Sequence, residues 1–254
     1  MTQLSPQQRR LIAPMLLGLA LLGLWALAAA GASPVLLPGP GRVLGRLWDD
    51  LGTGALWPYL AVTLTEALGG CLLGAIVALP LAFAIHRSTW FSDATQPFLG
   101  ATQAIPAIAI APLLVLWIGY GLTPVVMLCG LIVFFPILVS AVVGLRMASA
   151  EVVDAARLDG AGSLGLLWHV EAPLALPSLL GGFKNGFALS VTGAVVGEMV
   201  MGGSGLGTVL TVQRDAVDTT GMFATIAWLC LIAAGAYSLI TWWERRSAIV
   251  QALT

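Results

Sequence analysis

"EVVDAARLDGAGSLGLLWHVEAPLALP", residues 151–177, is a charged stretch between long apolar runs of a chain that is mostly apolar. Two short helical patterns are split by Asp159-Gly160 and closed by Pro173 and Pro177. The runs on either side, near 122–145 and 174–200, are apolar over about 20 residues or more, the length that crosses a bilayer as a helix. A polar segment between two such runs is a loop at a membrane surface, and its own helical pattern needs a reason.

The composition gives the same setting. The chain of 254 residues is 59% hydrophobic and 9% charged, with a mean hydropathy of +0.96, against about 25% charged in an ordinary soluble domain. Long unbroken apolar segments point to helices rather than alternating barrel strands. The expected fold is therefore all-α and polytopic, one transmembrane domain over 1–254 with its polar loop at about 151–173. Net charge is −1 and the few Lys and Arg residues are scattered, so nothing suggests a nucleic-acid surface. Cys71, Cys129 and Cys230 each sit in an apolar run, without CxxC spacing or a neighbouring His. They are expected to be small core residues, with no metal site among them.

"RRLIAPMLLGLALLGLWALAAAGAS", residues 9–33, has the basic start, apolar run and small residues of a secretory signal. Its apolar part, Leu11 to Ala30, exceeds the 7–15 residues typical of such a signal, which favours an uncleaved first span over the cleaved alternative. Punctuation by Gly, Pro and charge then gives about six spans, near 11–30, 57–85, 104–119, 122–145, 174–200 and 222–243. "PGPGRVLGRLWDDLG", residues 38–52, is too polar to span, and Val43, Leu44, Leu47, Trp48 and Leu51 recur at helical spacing. It should be an amphipathic helix at the membrane surface. "STWFSDATQPFLGATQ", residues 88–103, is expected to be a similar approach to the third span.

With six spans, Arg9, Arg10, Arg87, Arg146, Arg157, Arg245 and Arg246 fall on one face, and Arg42, Arg46 and Arg214 on the other. The excess of basic residues marks the first face as cytoplasmic, with both termini there. The 151–177 stretch is then cytoplasmic too. Val152, Val153, Ala155, Ala156 and Leu158 give one short helix an apolar surface, and Asp159-Gly160 supplies a turn. Ser163 is placed to cap a second helix through "LGLLWHV". Each piece is below the roughly 12–15 residues at which an isolated helix becomes marginal in water, so a partner surface is expected to hold them.

"DAARLDGAGSLGLLWHVEAPLALP" resembles the EAA loop of the membrane subunits of bacterial ABC importers: Asp154, Ala155, Ala156 and Gly160 match its head, Val170 and Pro173 its tail, and Pro177 a proline beyond it. Asp154 stands where Glu is usual, and Ala172 precedes Pro173 where Leu is usual. "LPGPGRVLGRLWDDL", "TLTEALGG", "QAIPAIAIAPLLVLWIGYG", "FFPILVSAVVGL" and "GEMVMGGSGLG" resemble, in the same order, segments of the branch that serves nitrate, sulfonate, taurine, bicarbonate and thiamine-precursor uptake. "TLTEALGG" with "AVVGEMV" resembles the thiamine-pyrimidine or riboflavin uptake members more than the sulfonate members.

The resemblance implies a type I importer transmembrane domain in the bacterial inner membrane. It also implies two cytoplasmic ATPase subunits docked on Asp154, Ala155, Ala156, Arg157, Leu158, Asp159, Gly160, Ala161, Leu164 and Leu167. An extracytoplasmic solute-binding protein would serve the opposite face, and one loop per chain implies a second permease copy, most simply in a homodimer. ATP and Mg would belong to the ATPase, with no cofactor on this chain. Consistently, the sole lysine, Lys184 in "GGFKNGF", does not fit the GxxxxGK[ST] loop that an ATPase needs.

No enzyme constellation is visible. His86 and His169 are far apart and lack an HExxH or GxSxG context; His169 belongs with the coupling helix and His86 at the interface. Glu66 and Glu198 lie in expected spans, where a carboxylate is expensive and faces a cavity or a partner. They are the candidates for a translocation path or gate, with Gln103 and Pro106. For Glu198 the equal alternative is a carboxylate held by backbone amides or a neighbouring helix. Pro106, Pro112 and Pro136 are expected to interrupt helices, and Gly69-Gly70 and Gly181-Gly182 to mark close helix contacts. A secondary transporter using Glu66 and Glu198 as proton carriers is the competing class, but it leaves the 151–177 loop unexplained and no inverted repeat is visible.

Overall fold

The computed structural model describes residues 6–103, 106–148 and 150–246; for 6–11, 98–103, 150 and 164 it describes the backbone alone. Every regular element among these residues is helical. The long ones follow from the solvent: in hydrocarbon no water can satisfy a peptide group, and a helix satisfies each one within itself. They are α1 (Pro6–Gly31), α3 (Trp57–Arg87), α6 (Leu122–Arg146), α9 (Ala172–Met201) and α11 (Thr219–Arg246). The shorter ones are α2 (Pro40–Thr53), α4 (Thr89–Gln103), α5 (Ala111–Ile118), α7 (Ala150–Leu158), α8 (Ser163–Leu166) and α10 (Leu206–Asp215).

The described chain forms two compact units, one of residues up to 56 with 209–228, the other of 57–208 with the residues from 229 on. In the first, α2 is the amphipathic helix expected from its spacing. Pro40 starts it, and Gly54 ends it at φ 67 with its N–H on the Asp50 carbonyl at 3.2 Å, the left-handed cap that glycine takes without a Cβ penalty. Val43 is buried whereas Leu44, Trp48 and Leu51 are exposed. Arg46 bridges Asp50 at 3.1 Å and Asp218 at 3.2 Å.

In the second unit, α3, α6 and α9 pack into one apolar core that includes Ala67, Ala78, Ala82, Val133, Ile137 and Val191. Their faces are small where they cross. A Cβ on Gly74 would lie 3.0 Å from the Gly130 carbonyl oxygen, and one on Gly182 would lie 2.6 Å from the Ser140 Cβ, so the backbones touch as small-residue membrane interfaces do. Gly70 meets Cys129 and Gly69 meets Val126, as expected, whereas Gly181 faces open space. Cys71 and Cys129 are core residues, but Cys230 is exposed on α11; an apolar neighbourhood in sequence does not say which side of a span faces lipid.

Five helices among the described residues are long and apolar enough to cross a membrane, and the expected span at 104–119 differs from the other five. Residues 104 and 105 lie outside the described residues. Beyond them come a 3-10 turn, Ala107–Ile110, and the eight-residue α5, together about 20 Å long at most, short of the roughly 30 Å hydrocarbon core. The packing nevertheless requires the chain to return here. Gly70 meets Cys129, Gly74 meets Val133, and Ile85 and His86 share a cavity with Leu145 and Arg146, so α3 and α6 run parallel. Residues 88–121 must therefore lead from the Arg87 end of the bundle to its Leu122 end. Helix α4 starts at the first, and Ala111 and Leu114 of α5 pack on Val125 and Leu128 at the second. The return is a broken crossing rather than one continuous span. Pro106 stands before the 3-10 turn and Pro112 in the first turn of α5, whereas Pro136 is taken up within α6.

Candidate functional site

The polar loop forms as its sequence predicts at its head. Helix α7 ends in a Schellman motif: Ala161 N–H bonds the Ala156 carbonyl and Gly160 N–H bonds the Arg157 carbonyl, both at 3.0 Å. Gly160 sits at φ 87, where a side chain would be strained. In the helices that flank this turn Leu158 is 89% exposed, Trp168 69% and Val152 47%. Asp154, Ala155, Arg157, Asp159 and Gly160 are also exposed, Ala156, Ala161 and Leu167 are half-buried, and the side chain of Leu164 lies outside the described residues. Trp168 is the signal that sequence reasoning missed, because a tryptophan near a membrane boundary reads equally well as an interfacial anchor. The Asp154–Arg157 pair, 3.3 Å apart, is exposed and adds little.

The second half of the loop corrects the sequence reading. No freestanding second helix follows Ser163: α8 passes through a π-helical turn, Leu167–Glu171, straight into α9. His169 lies on that turn, its Nδ1 3.1 Å from the Gly165 carbonyl oxygen. At the turn's end Glu171 is buried, and its Oε1 meets His86 Nε2 at 3.2 Å, while Oε2 has no partner among the described residues. Both line a cavity of about 520 Å³ with Arg87, Arg146, Asp154 and Ser92, and Arg146 donates to the Ser92 hydroxyl at 3.0 Å. The cavity thus gathers Arg87, Arg146 and Arg157 with Asp93 and Asp154 around one buried carboxylate, Glu171.

At the opposite end, Glu198 is buried and fully engaged. Its Oε1 accepts the Thr63 hydroxyl at 2.7 Å, its Oε2 accepts the Gly207 N–H, and the Thr63 oxygen accepts the Leu206 N–H at 2.8 Å. Leu206 and Gly207 open α10, so a carboxylate and a hydroxyl from other helices cap the amides that a helix N-terminus leaves free. The glycines of "GSGLG" fit this arrangement: a Cβ on Gly205 would overlap the Glu198 carboxylate, and one on Gly207 would overlap the Val195 carbonyl. Glu66, one turn along α3 from Thr63, lies within hydrogen-bonding reach of Glu198, and its Oε2 is buried without a partner among the described residues. The structure brings Glu66 and Glu198 together; Pro106 is exposed, and the Gln103 side chain lies outside the described residues. Thr63 is a member of the cluster that sequence reasoning missed, since a threonine in an apolar helix commonly bonds only its own turn.

Comparison with known proteins is consistent with this architecture. Residues 70–249 match the family model described as binding-protein-dependent transport system inner membrane component. The riboflavin transport system permease protein RibX of Chloroflexus aurantiacus is 42% identical over 85% of this chain and 81% of its own length. The formylaminopyrimidine transport permease protein ThiX of Halalkalibacterium halodurans is 32% identical over 89% of this chain and 91% of its own. A solved structure of the MetNI methionine ABC transporter in an inward-facing conformation superposes with a TM-score of 0.68 at 19% identity, covering 81% of this chain and 99% of that one, a likeness of fold. These relatives are transport permeases rather than enzymes. With most of its length and all of its core helices α3, α6 and α9 inside or overlapping the matched region, the chain belongs to the binding-protein-dependent transport system inner membrane components, the permease subunits of ABC importers.

Proposed function

We propose that this permease is driven by ATPase subunits that dock on α7 and the Gly160 turn, and that it receives its solute from an extracytoplasmic binding protein at the Glu198 end. The observation that carries the reading is the Schellman-terminated α7 with Leu158 89% exposed beside it. An apolar side chain so placed on a helix too short to persist alone needs a groove in another protein. ATP and Mg bind the ATPase, and two permease copies supply the two docking loops. The names of RibX and ThiX favour a flavin or a pyrimidine as solute over the nitrate, sulfonate, taurine or bicarbonate class, with Glu66, Gln103 and Pro106 bordering its path and Glu198 holding the gate loop.

The test is uptake into liposomes that contain the permease together with its ATPase and its binding protein. Uptake should need all three components and ATP. Solute accumulation that persists without the ATPase would instead favour a secondary transporter using Glu66 and Glu198.

The topology proposed has six crossings, five by long helices and one by the broken 88–121 segment. Both termini, α7 and the Arg87 and Arg146 ends are cytoplasmic. Single cysteines replacing Ser163 and Thr219, in a background lacking the native cysteines, should react with a membrane-impermeant reagent from opposite sides. Reaction of both from outside intact cells would exclude this topology.

A further inference from the structure

Helix α3 is tied by a polar contact near each of its ends. At the Arg87 end His86 meets Glu171 at 3.2 Å, the two side chains 18% and 3% exposed. At the other, Thr63 bonds both Glu198 and the first amide of α10. The residues between, 63 to 86, span about 35 Å of helix, close to the thickness of the hydrocarbon core. Towards α6 and α9 this stretch presents small residues, Gly70, Gly74, Ala78 and Ala82, all buried, and one buried hydrogen bond, from the Ser190 hydroxyl to the Ala67 carbonyl at 2.7 Å, joins it to α9 near its Thr63 end. Glu171 closes the π-helical turn against which α7 packs, and such wide turns commonly mark sites that adjust.

We propose that α3 is the rod that carries displacement of α7 to the gate loop, with His86 and Glu171 as its inner positioning residues and Thr63 as its outer one. This rests on the reading that ATPases act on α7. Movement of α7 shifts the π-turn, Glu171 pulls His86, and α3 moves Thr63 relative to the N-terminus of α10. Glu198 and Leu206 then change partners together, because one hydroxyl serves both.

The experiment uses the complete complex of permease, ATPase and binding protein in liposomes, with ATP hydrolysis and uptake measured together. His86→Ala should leave ATPase co-purification intact but reduce the stimulation of hydrolysis by the loaded binding protein about tenfold, the size of an ordinary coupling energy between sites. His86→Lys, which supplies an N–H donor to Glu171 in place of the imidazole, should recover most of that stimulation. Thr63→Val should lower it as well, and His86→Ala/Thr63→Val should be no worse than the more severe single change, since both break one route. Full stimulation in His86→Ala, no recovery in His86→Lys, loss of the ATPase from the complex, or losses that multiply in the double variant would each overturn the proposal. A wild-type complex that hydrolyses ATP without responding to the binding protein would instead count against the functional reading itself.

Discussion

Gly205→Ala is expected to abolish uptake and to lower the unfolding temperature of the purified permease, although it adds a single methyl group. That methyl would overlap the Glu198 carboxylate, which cannot step aside without releasing the Gly207 N–H and the Thr63 hydroxyl. Hydrogen bonds to a charged group contribute about 1.5–3 kcal/mol each, and Glu198 is buried. Gly181→Ala is the matched control, because a Cβ there meets nothing within 4 Å and alanine is the better helix former; its uptake should equal wild type. If the carboxylate is the cause, Glu198→Ala/Gly205→Ala should be no less stable than Glu198→Ala alone. Thermal unfolding of the four proteins in one detergent decides it, and strictly additive losses would refute the clash.

Gly160→Val is expected to release the ATPase while leaving the spans folded. At φ 87 valine would have to hold a left-handed backbone, at a cost of about 1–2 kcal/mol for an ordinary L-residue and more for a β-branched one. The loop would relax by breaking the two bonds that fix Ala161 and Gly160 to the end of α7, so the turn that sets Leu158 relative to Trp168 would be lost. A loss of that size is roughly 5–30-fold in the docking-competent population. Co-purification of the ATPase should fall accordingly, and Gly160→Asn, whose side chain tolerates the left-handed region, should retain more of it. ATPase association unchanged in Gly160→Val would remove the turn from the docking surface.

The two sites differ because each is held in its own way. The Gly160 turn is closed by bonds within six residues, Ala156 to Ala161, so its disruption stays local and the bundle beneath it survives. The Glu198 cap joins α3, α9 and α10 across sequence separations of 135 and 143 residues, so its disruption loosens packing that no single helix maintains. One site is thus best tested by partner binding, the other by stability and transport together.

Much of this molecule is determined by the sequence alone. Apolar runs of bilayer length define five of the spans, spacing defines the amphipathic face of α2, and Gly160 four residues after Ala156 defines a helix stop, because all three depend on interactions within a few residues along the chain. Only the tertiary structure decided that Glu198 caps α10, that His86 has Glu171 for a partner, and that the third crossing is broken. It also decided that the second loop helix is continuous with α9. In each of these a polar group or a chain direction is settled by what another helix presents to it: a buried carboxylate is satisfied by whichever donors packing delivers, and the course of the 88–121 segment is dictated by the parallel packing of α3 on α6. Hydropathy reports that such a group or segment lies in the membrane, but the partner that makes it stable there is chosen by contacts that no local pattern contains.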